Sequence, residues 1–467
     1  MERVGGSYRD PAGFVFRHDG RLYRSVSQQH GADYDLLMGS GLYDELVRDG
    51  LLVSHEEVAL DLSALPDAPE LRTAHRILRP EEVPFVSYPY EWCFGQLKAA
   101  ASLTLDLCTR ALARGLILRD ASAFNVQFLE GRPVFIDTLS FGRYDEGKPW
   151  DAYQQFCRHF LAPLALMSYR GVWPGEWWRH HLEGLPLDVA SRLLPWRARL
   201  RPGLSLHVTM HASQVRRHEE TAGAPAPARR SFGRASMLGL LDSLRRTVDG
   251  LTWTPASHGW STYYETCTYD ERGLEAKTQA VRQFLATIAE QDAVRHAWDL
   301  GANTGVFSEV AAGSGLHVVS FDLDLSVVER LWQACRARGE RRILPLIQDV
   351  CNPSPGLGWE GGERASLADR GPADVLLVLA LVHHVAIGRN VPLGAISRML
   401  ARLGRWLVIE FVPKDDPQVV RLLRWREDVF PDYTEDRFRE AFARDFECVS
   451  RVALPDSGRS VYLMRRR

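Results

Sequence analysis

The sequence predicts an α/β protein whose C-terminal half is an open, mostly parallel sheet and whose N-terminal half is α+β. Three observations lead there. Apolar runs at 297–300 (AWDL), 317–322 (HVVSFD), 342–349, 373–381 and 405–412 alternate with helical stretches, the order expected of parallel strands joined by helical crossovers. The first two runs flank a glycine-bearing turn, Gly-Ala-Asn-Thr-Gly (Gly301 to Gly305), and each ends in an acid, Asp299 or Asp322. The chain closes on ECVSRVALPDSGRSVYLMRR, two strand patterns around a Pro-Asp-Ser-Gly turn, which predicts a terminal hairpin.

The N-terminal half opens on FVFRHDGRLYRSV, where Asp19-Gly20 marks a tight hairpin. Helical segments follow, and from about 146 to 200 the pattern is mostly helical with Trp173, Trp177, Trp178 and Trp196. The run TAGAPAPARR, residues 221 to 230, is rich in Ala, Pro and Gly and cannot bury a face, so a linker is expected there. The helical pattern SMLGLLDSLRRTVDGL comes next. The expected organisation is an α+β domain over 1–220, a linker and connecting helix over 221–255, and an α/β domain over 256–467.

Composition excludes several classes. At 467 residues, 45% hydrophobic and 25% charged, the chain is that of a soluble globular protein of two or three domains. The net charge of −2 gives no pull toward nucleic acid or anionic membrane. Only Lys98, Lys148, Lys277 and Lys414 among the 57 basic residues are lysine, a bias that reads as genomic composition. The N-terminus has no apolar signal-peptide core, and no apolar run reaches the ~18 residues that span a bilayer. The seven cysteines form no C-x-x-C pair, so neither a zinc site nor a disulfide framework is expected. A cytoplasmic location follows as the default.

The turn after the first C-terminal strand narrows the chemistry. A dinucleotide fold would read G-x-G-x-x-G with amides aimed at a pyrophosphate. Here the run is D-x-G-x-N-x-G, with Asn303 at the middle glycine position, and an acid before the turn suits a cationic ligand better than a phosphate. This pattern resembles the first motif of class I S-adenosylmethionine (SAM) methyltransferases, and the resemblance covers roughly residues 260 to 467. It implies a Rossmann-like sheet, SAM as cofactor, S-adenosylhomocysteine as product and no metal.

By that resemblance Asp299, Gly301, Asn303 and Gly305 would wrap the methionine end of SAM. Asp322 would take the ribose hydroxyls. Asp324 either joins it or caps the following helix, LSVVERL. Asp349 and Val350, at the third strand's end, would meet the adenine. Lys277 and Tyr264, with Tyr263 and Tyr269, would line the mouth, unless the aromatics only pack a cap segment. His383 and His384 follow the fourth strand, where the family faces the transferring methyl. One of the two would act as general base, the alternative being an imidazole packed between strand and helix. Glu410 ends the fifth strand, either contacting substrate or pairing with a nearby Arg or Lys.

A second constellation lies in LILRDASAFNVQFLEGRPVFIDTLSF. Asp120, Asn125 and Asp137 resemble the catalytic and metal-binding segment of kinase-like folds. There they would bind substrate or nucleotide. The departures are substantial: Leu118 stands where that family has His, Thr138-Leu139 follow the last Asp, and no lysine precedes Lys98. The strand lysine is missing unless an arginine such as Arg24 replaces it. The plainer alternative is a local hairpin with two capping acids. The terminal Arg465-Arg466-Arg467 reads as a frayed charged tail.

The layout as a whole resembles large bacterial SAM-dependent methyltransferases, some nodulation-protein-like and others of natural-product pathways. It implies the reaction type, methyl transfer, and not the acceptor; the first expectation is methylation of N or O on a small molecule in specialised metabolism. An RNA or protein acceptor, or a bifunctional protein with a nucleotide-binding lobe, is the alternative. No membrane partner is expected, nucleic acid is not favoured, and the oligomeric state is left open.

Overall fold

The computed structural model describes residues 1–60, 69–210, 232–255, 271–424 and 427–467. It divides into two compact units. One comprises Met1–Thr254 with Leu357–Arg364, and the other Pro255–Gly356 with Ala365–Arg467.

The N-terminal unit opens with strands β1 (Glu2–Arg3), β2 (Val15–His18) and β3 (Arg21–Val26). Asp19 and Gly20 both take positive φ, 48° and 73°, the geometry of the tight hairpin turn that their sequence predicts. Helices α1 (Gly31–Gly39) and α2 (Leu42–Arg48) follow, then β4 (His55–Glu57) and β5 (Arg76–Pro80). The five strands form one antiparallel sheet in the order β1-β2-β3-β5-β4. Val26, Tyr34 and Leu78 close its core with Leu139. A long helix, α3 (Phe94–Ala113), buries Leu97, Leu105, Leu107 and Leu112 along its length. Two antiparallel pairs come after it: β6 (Leu116–Leu118) with β9 (Phe141–Arg143), and β7 (Val126–Leu129) with β8 (Arg132–Phe135). Helical segments occupy 153–210 in short pieces, and α4 (Arg234–Asp249) packs along α3.

The C-terminal unit is a seven-stranded sheet. Helix α5 (Glu271–Gln291) leads into β10 (His296–Leu300), α6 (Val306–Gly313), β11 (His317–Asp322), α7 (Leu325–Arg338) and β12 (Ile343–Ile347). Then come β13 (Ala373–Val378), α8 (Leu393–Leu403), β14 (Gly404–Phe411), α9 (Pro417–Leu423), α10 (Glu435–Phe442), β15 (Phe446–Ala453) and β16 (Ser460–Arg466). The order is β12-β11-β10-β13-β14-β16-β15. The first five strands are parallel, and β16 runs antiparallel to both neighbours. Parallel strands are covered on both faces, which is why these runs are apolar throughout rather than alternating. Val281, Phe284 and Ile288 of α5 pack against Val375, Trp406 and Leu463 of the sheet. The order reverses between β10 and β13, so the ends of those strands open a crevice where ligands of such sheets bind.

Two details depart from expectation. The fourth strand stops at Val378 rather than at residue 381, because Ala380 takes a left-handed φ of 52° and the chain leaves the sheet there. The terminal arginines are not frayed. Arg465 lies in register with Trp406, and the Arg467 amide donates to the Asp445 carbonyl at 3.0 Å.

Gly404 begins β14 with no room for a side chain: a Cβ there would stand 2.4 Å from Leu376 Cγ. Gly404→Val is therefore expected to lower stability by about 1–3 kcal/mol through overpacking, read as a reduced chemical-denaturation midpoint with an unchanged slope.

Candidate functional site

A cleft of about 530 Å³ lies at the carboxyl ends of β10 to β13. Its floor is the turn after β10. Gly301, Asn303 and Gly305 take φ of 77°, 48° and 84°, so the backbone curls left-handed at three alternate positions. Asn tolerates that region better than most residues. At Gly305 an added Cβ would also meet Leu331 Cδ1 at 2.5 Å. The Gly301 and Ala302 amides donate to the Phe321 carbonyl at 2.8 and 2.9 Å, which fastens the turn to the end of β11.

Asp322 completes that fastening. Its Oδ2 accepts from the Asn303 amide and its Oδ1 from the Asp324 amide, both at 2.9 Å. Burial raises its pKa, and the two amides oppose the shift. One carboxylate thus locks the turn to the next strand end while lining the cleft. Asp324 Oδ1 accepts from the Ser326 amide at 2.8 Å, so Asp324 caps α7, and it lines the cleft as well.

Asp299 is 2% exposed. Its Oδ2 accepts from Ser308 Oγ at 2.6 Å, and Ser320 Oγ donates to Ser308 Oγ at 2.7 Å. Burial pushes its pKa up to about 6 against the pull of Ser308 and Lys277. Asp349 Oδ1 accepts from the Cys351 amide at 2.8 Å and its Oδ2 lies 3.8 Å from Arg389. Asp349 and Val350 both line the cleft, as do Lys277 and His384.

The remaining predicted residues separate. Glu410 is fully buried and is not among the lining residues. Its Oε2 accepts from Lys277 Nζ at 2.6 Å and from the Ala380 amide at 2.7 Å, and its Oε1 lies 3.3 Å from Arg459 Nη1. Arg459 also donates to Asp416 at 2.7 Å. The pairing alternative for Glu410 is thus what the geometry contains. His383 is fully buried beside His384, ring centroids 4.1 Å apart, and neither of its ring nitrogens has a hydrogen-bond partner among the described residues. Burial holds its pKa well below the usual histidine value. His384, on the lining, is lowered to about 4 by burial and by Arg459. Both imidazoles are neutral at pH 7. Tyr264, with Tyr263 and Tyr269, lies outside the described residues.

In the N-terminal unit Asp120, Asn125 and Asp137 converge. Asn125 hydrogen-bonds the Asp120 carboxylate and donates to Ser140 Oγ at 3.3 Å. Ser140 donates to Asp137 Oδ2. Arg24 of β3 lies 2.8 Å from Asp137 Oδ1 and 2.5 Å from Asp10 Oδ2. Burial, then the charge of Asp137, raises the Asp120 pKa. Both acids also fix turns, accepting from the Ser122 and Leu139 amides. Among the described residues no group of three or more His, Cys, Asp or Glu is arranged to hold a metal. Nor is any helix there long and apolar enough to cross a membrane.

Sequence reasoning missed Ala380, Arg459 and Asp10. Nothing in ALVHH marks a left-handed alanine, and an arginine in a predicted hairpin turn reads as exposed.

The chain is 34% identical over 468 residues to the nodulation protein NoeA of Rhizobium meliloti (strain 1021), covering 99% of this chain and 96% of that protein. No family model matches. Among solved structures it is similar to magnesium protoporphyrin IX methyltransferase (ChlM) from Synechocystis PCC 6803 with bound SAH. The identity is 16%, covering 44% of this chain and 93% of that one, at a TM-score of 0.32. WbdD, a bifunctional kinase-methyltransferase, matches at 15% identity over 45% of this chain and 43% of its own, at a TM-score of 0.30. The chain belongs to the family of the nodulation protein, and the strand order gives its C-terminal unit a Rossmann-like sheet.

The raised Asp299 pKa has a stability consequence. The native state holds its proton up to about pH 6, whereas the unfolded chain releases it near ~3.9. Between those values the native state binds more protons, so this group's contribution becomes less favourable as pH rises. Asp299→Asn removes the titration. Relative to the parent, the variant should gain on the order of 2–3 kcal/mol between pH 4 and pH 7, measured by urea unfolding at both.

Proposed function

We propose that this chain is a class I methyltransferase, transferring a methyl group from S-adenosylmethionine to nitrogen or oxygen of a small molecule, in specialised metabolism. The observation that carries the reading is the Asp322 carboxylate, which ties the left-handed turn to the end of β11 at the cleft. The lining also fits a cationic nucleoside. Asp299, Asp322, Asp324 and Asp349 face two cationic side chains, Lys277 and Arg389.

When bound, S-adenosylmethionine supplies an electrophilic methyl on a sulfonium and leaves as S-adenosylhomocysteine. The residues of this chain hold and aim. Asp299, Gly301 and Asn303 would cradle the methionine end, with Gly305, which is not on the lining, shaping their turn; Asp322 would accept from the ribose, and Asp349 with Val350 would border the base. Positioning is the principal catalytic contribution, since in-line transfer at carbon needs the acceptor lone pair on the S–CH3 axis. His384 lines the cleft with its pKa lowered to about 4, so it would take a proton only from a strongly acidic methylated acceptor such as an oxonium, and an amine acceptor would have to arrive already neutral. Titration calorimetry should show Asp322→Ala binding S-adenosylhomocysteine about 5–150-fold more weakly, the equivalent of ~1–3 kcal/mol. Unchanged affinity would remove the sugar contact.

A second reading concerns the N-terminal unit, which we infer to be a kinase-like lobe able to bind nucleotide. It is supported by the antiparallel sheet with α1 and α2 between its third and fourth strands. The long α3 and the two strand pairs that present Asp120, Asn125 and Asp137 support it too. Arg24 stands on β3 against Asp137, in reach to exchange that carboxylate for a phosphate. ATP with Mg²⁺ at a hundredfold excess over Kd should raise the thermal midpoint by about 5–10 °C, and Asp137→Ala should abolish the shift. No shift in the parent protein would eliminate nucleotide binding.

A further inference from the structure

Beneath the cleft lies a group of buried charges of which the methyl-transfer reading uses only Lys277, on the lining. Glu410 and Arg459 are fully buried, Lys277 is 2% exposed and Asp416 is 4% exposed. Two cations and two carboxylates balance. Lys277 comes from α5, Glu410 from β14, Arg459 from the turn before β16, and Asp416 from the N-cap of α9. A buried ionic group of this kind is weak evidence for stability, because desolvation offsets the attraction. Conformational specificity is the alternative reason for it.

The specificity has an address. Glu410 Oε2 accepts the Ala380 amide at 2.7 Å. Ala380 lines the cleft and takes a φ of 52°, a conformation that a residue with a Cβ adopts only where its surroundings impose it. Its turn carries the chain from β13 to Leu381 and His384 on the wall of the same cleft. The His384 amide closes this bend on the Leu381 carbonyl at 2.9 Å. The same Oε2 takes Lys277 Nζ, so one oxygen sets both the strand-end turn and the lysine beside Asp299.

We propose that Glu410 is a positioning residue for methyl transfer: from beneath the cleft it holds Ala380 left-handed, and so fixes the Leu381–His384 wall that the acceptor approaches. This rests on the reading of the cleft as the SAM site. Glu410 itself reaches neither donor nor acceptor, and it is not a general base.

Glu410→Leu tests it. Leucine fills a similar volume and offers no acceptor to the Ala380 amide, which Glu410 Oε2 otherwise takes, so the turn loses its anchor. Hydrogen–deuterium exchange should accelerate at least tenfold over 379–385 with the strand interiors unchanged. S-adenosylhomocysteine, titrated calorimetrically, should bind at least fivefold more weakly. Adding Ala380→Gly should recover at least half of that lost affinity on a logarithmic scale, since glycine takes positive φ without a Cβ penalty. A role in general stability alone would not be rescued there. Wild-type exchange in Glu410→Leu, or no rescue by glycine, overturns the proposal. If Glu410→Leu does not fold, exchange in the parent decides. An Ala380 amide as slow as the amides of β13 supports the proposal, and one as fast as an exposed loop amide overturns it. Should the parent fail to bind S-adenosylhomocysteine, the SAM reading fails while the exchange arm still reports on the Glu410–Ala380 tie.

Discussion

The C-terminal unit depends on a fully buried carboxylate. Glu410 joins a helix, two strand ends and a hairpin turn through Lys277, Ala380 and Arg459. Each contact alone is an ordinary hydrogen bond or ion pair. Together they place the turn that leaves β13 and the cleft's Lys277 in fixed relation. The parallel sheet brings the strand ends to one side. It does not say how each chain should leave its strand, and the buried charges supply that instruction.

Above this layer the cleft is acidic, and its acids are held differently. Asp322 is fixed by backbone amides on both oxygens. Asp299 is fixed by a hydroxyl pair, Ser308 and Ser320, and burial pushes its pKa to about 6. Burial raises the pKa of both acids, and what opposes it differs: the Asp324 and Asn303 amides at Asp322, the Ser308 hydroxyl and Lys277 at Asp299. On the proposed reading the first would meet the sugar and the second the positively charged end.

Much of this was legible in the sequence, and the reasons are local. The strand of 317–322 was readable to the residue because an apolar run ends where Asp322 leaves the sheet. The hairpin at Asp19-Gly20 was readable because that dipeptide favours two positive φ values in succession. The fourth strand was drawn too long because LVLAL is apolar to its end, and only the backbone shows Ala380 turning away. Glu410 was assigned equally to substrate contact and to pairing because a sequence gives strand ends but not depth. Arg459 could not be anticipated at all, since burial of an arginine depends on two acids from distant elements, Glu410 and Asp416.

The N-terminal acids make the contrast instructive. Asp137 is as well partnered as Asp322, yet its partners include a side-chain cation, Arg24, which also serves Asp10. Backbone amides cannot leave, so Asp322 offers a ligand only the lone pairs it has spare. A guanidinium on a long side chain can exchange one anion for another at little conformational cost, and it matches phosphate as well as carboxylate. Burial and Asp137 raise the Asp120 pKa, and a positive charge beside it would oppose that shift. The acid in the C-terminal cleft is therefore held by fixed amides, whereas the N-terminal cluster is held by an ion pair, which a nucleotide bound as proposed would have to rearrange.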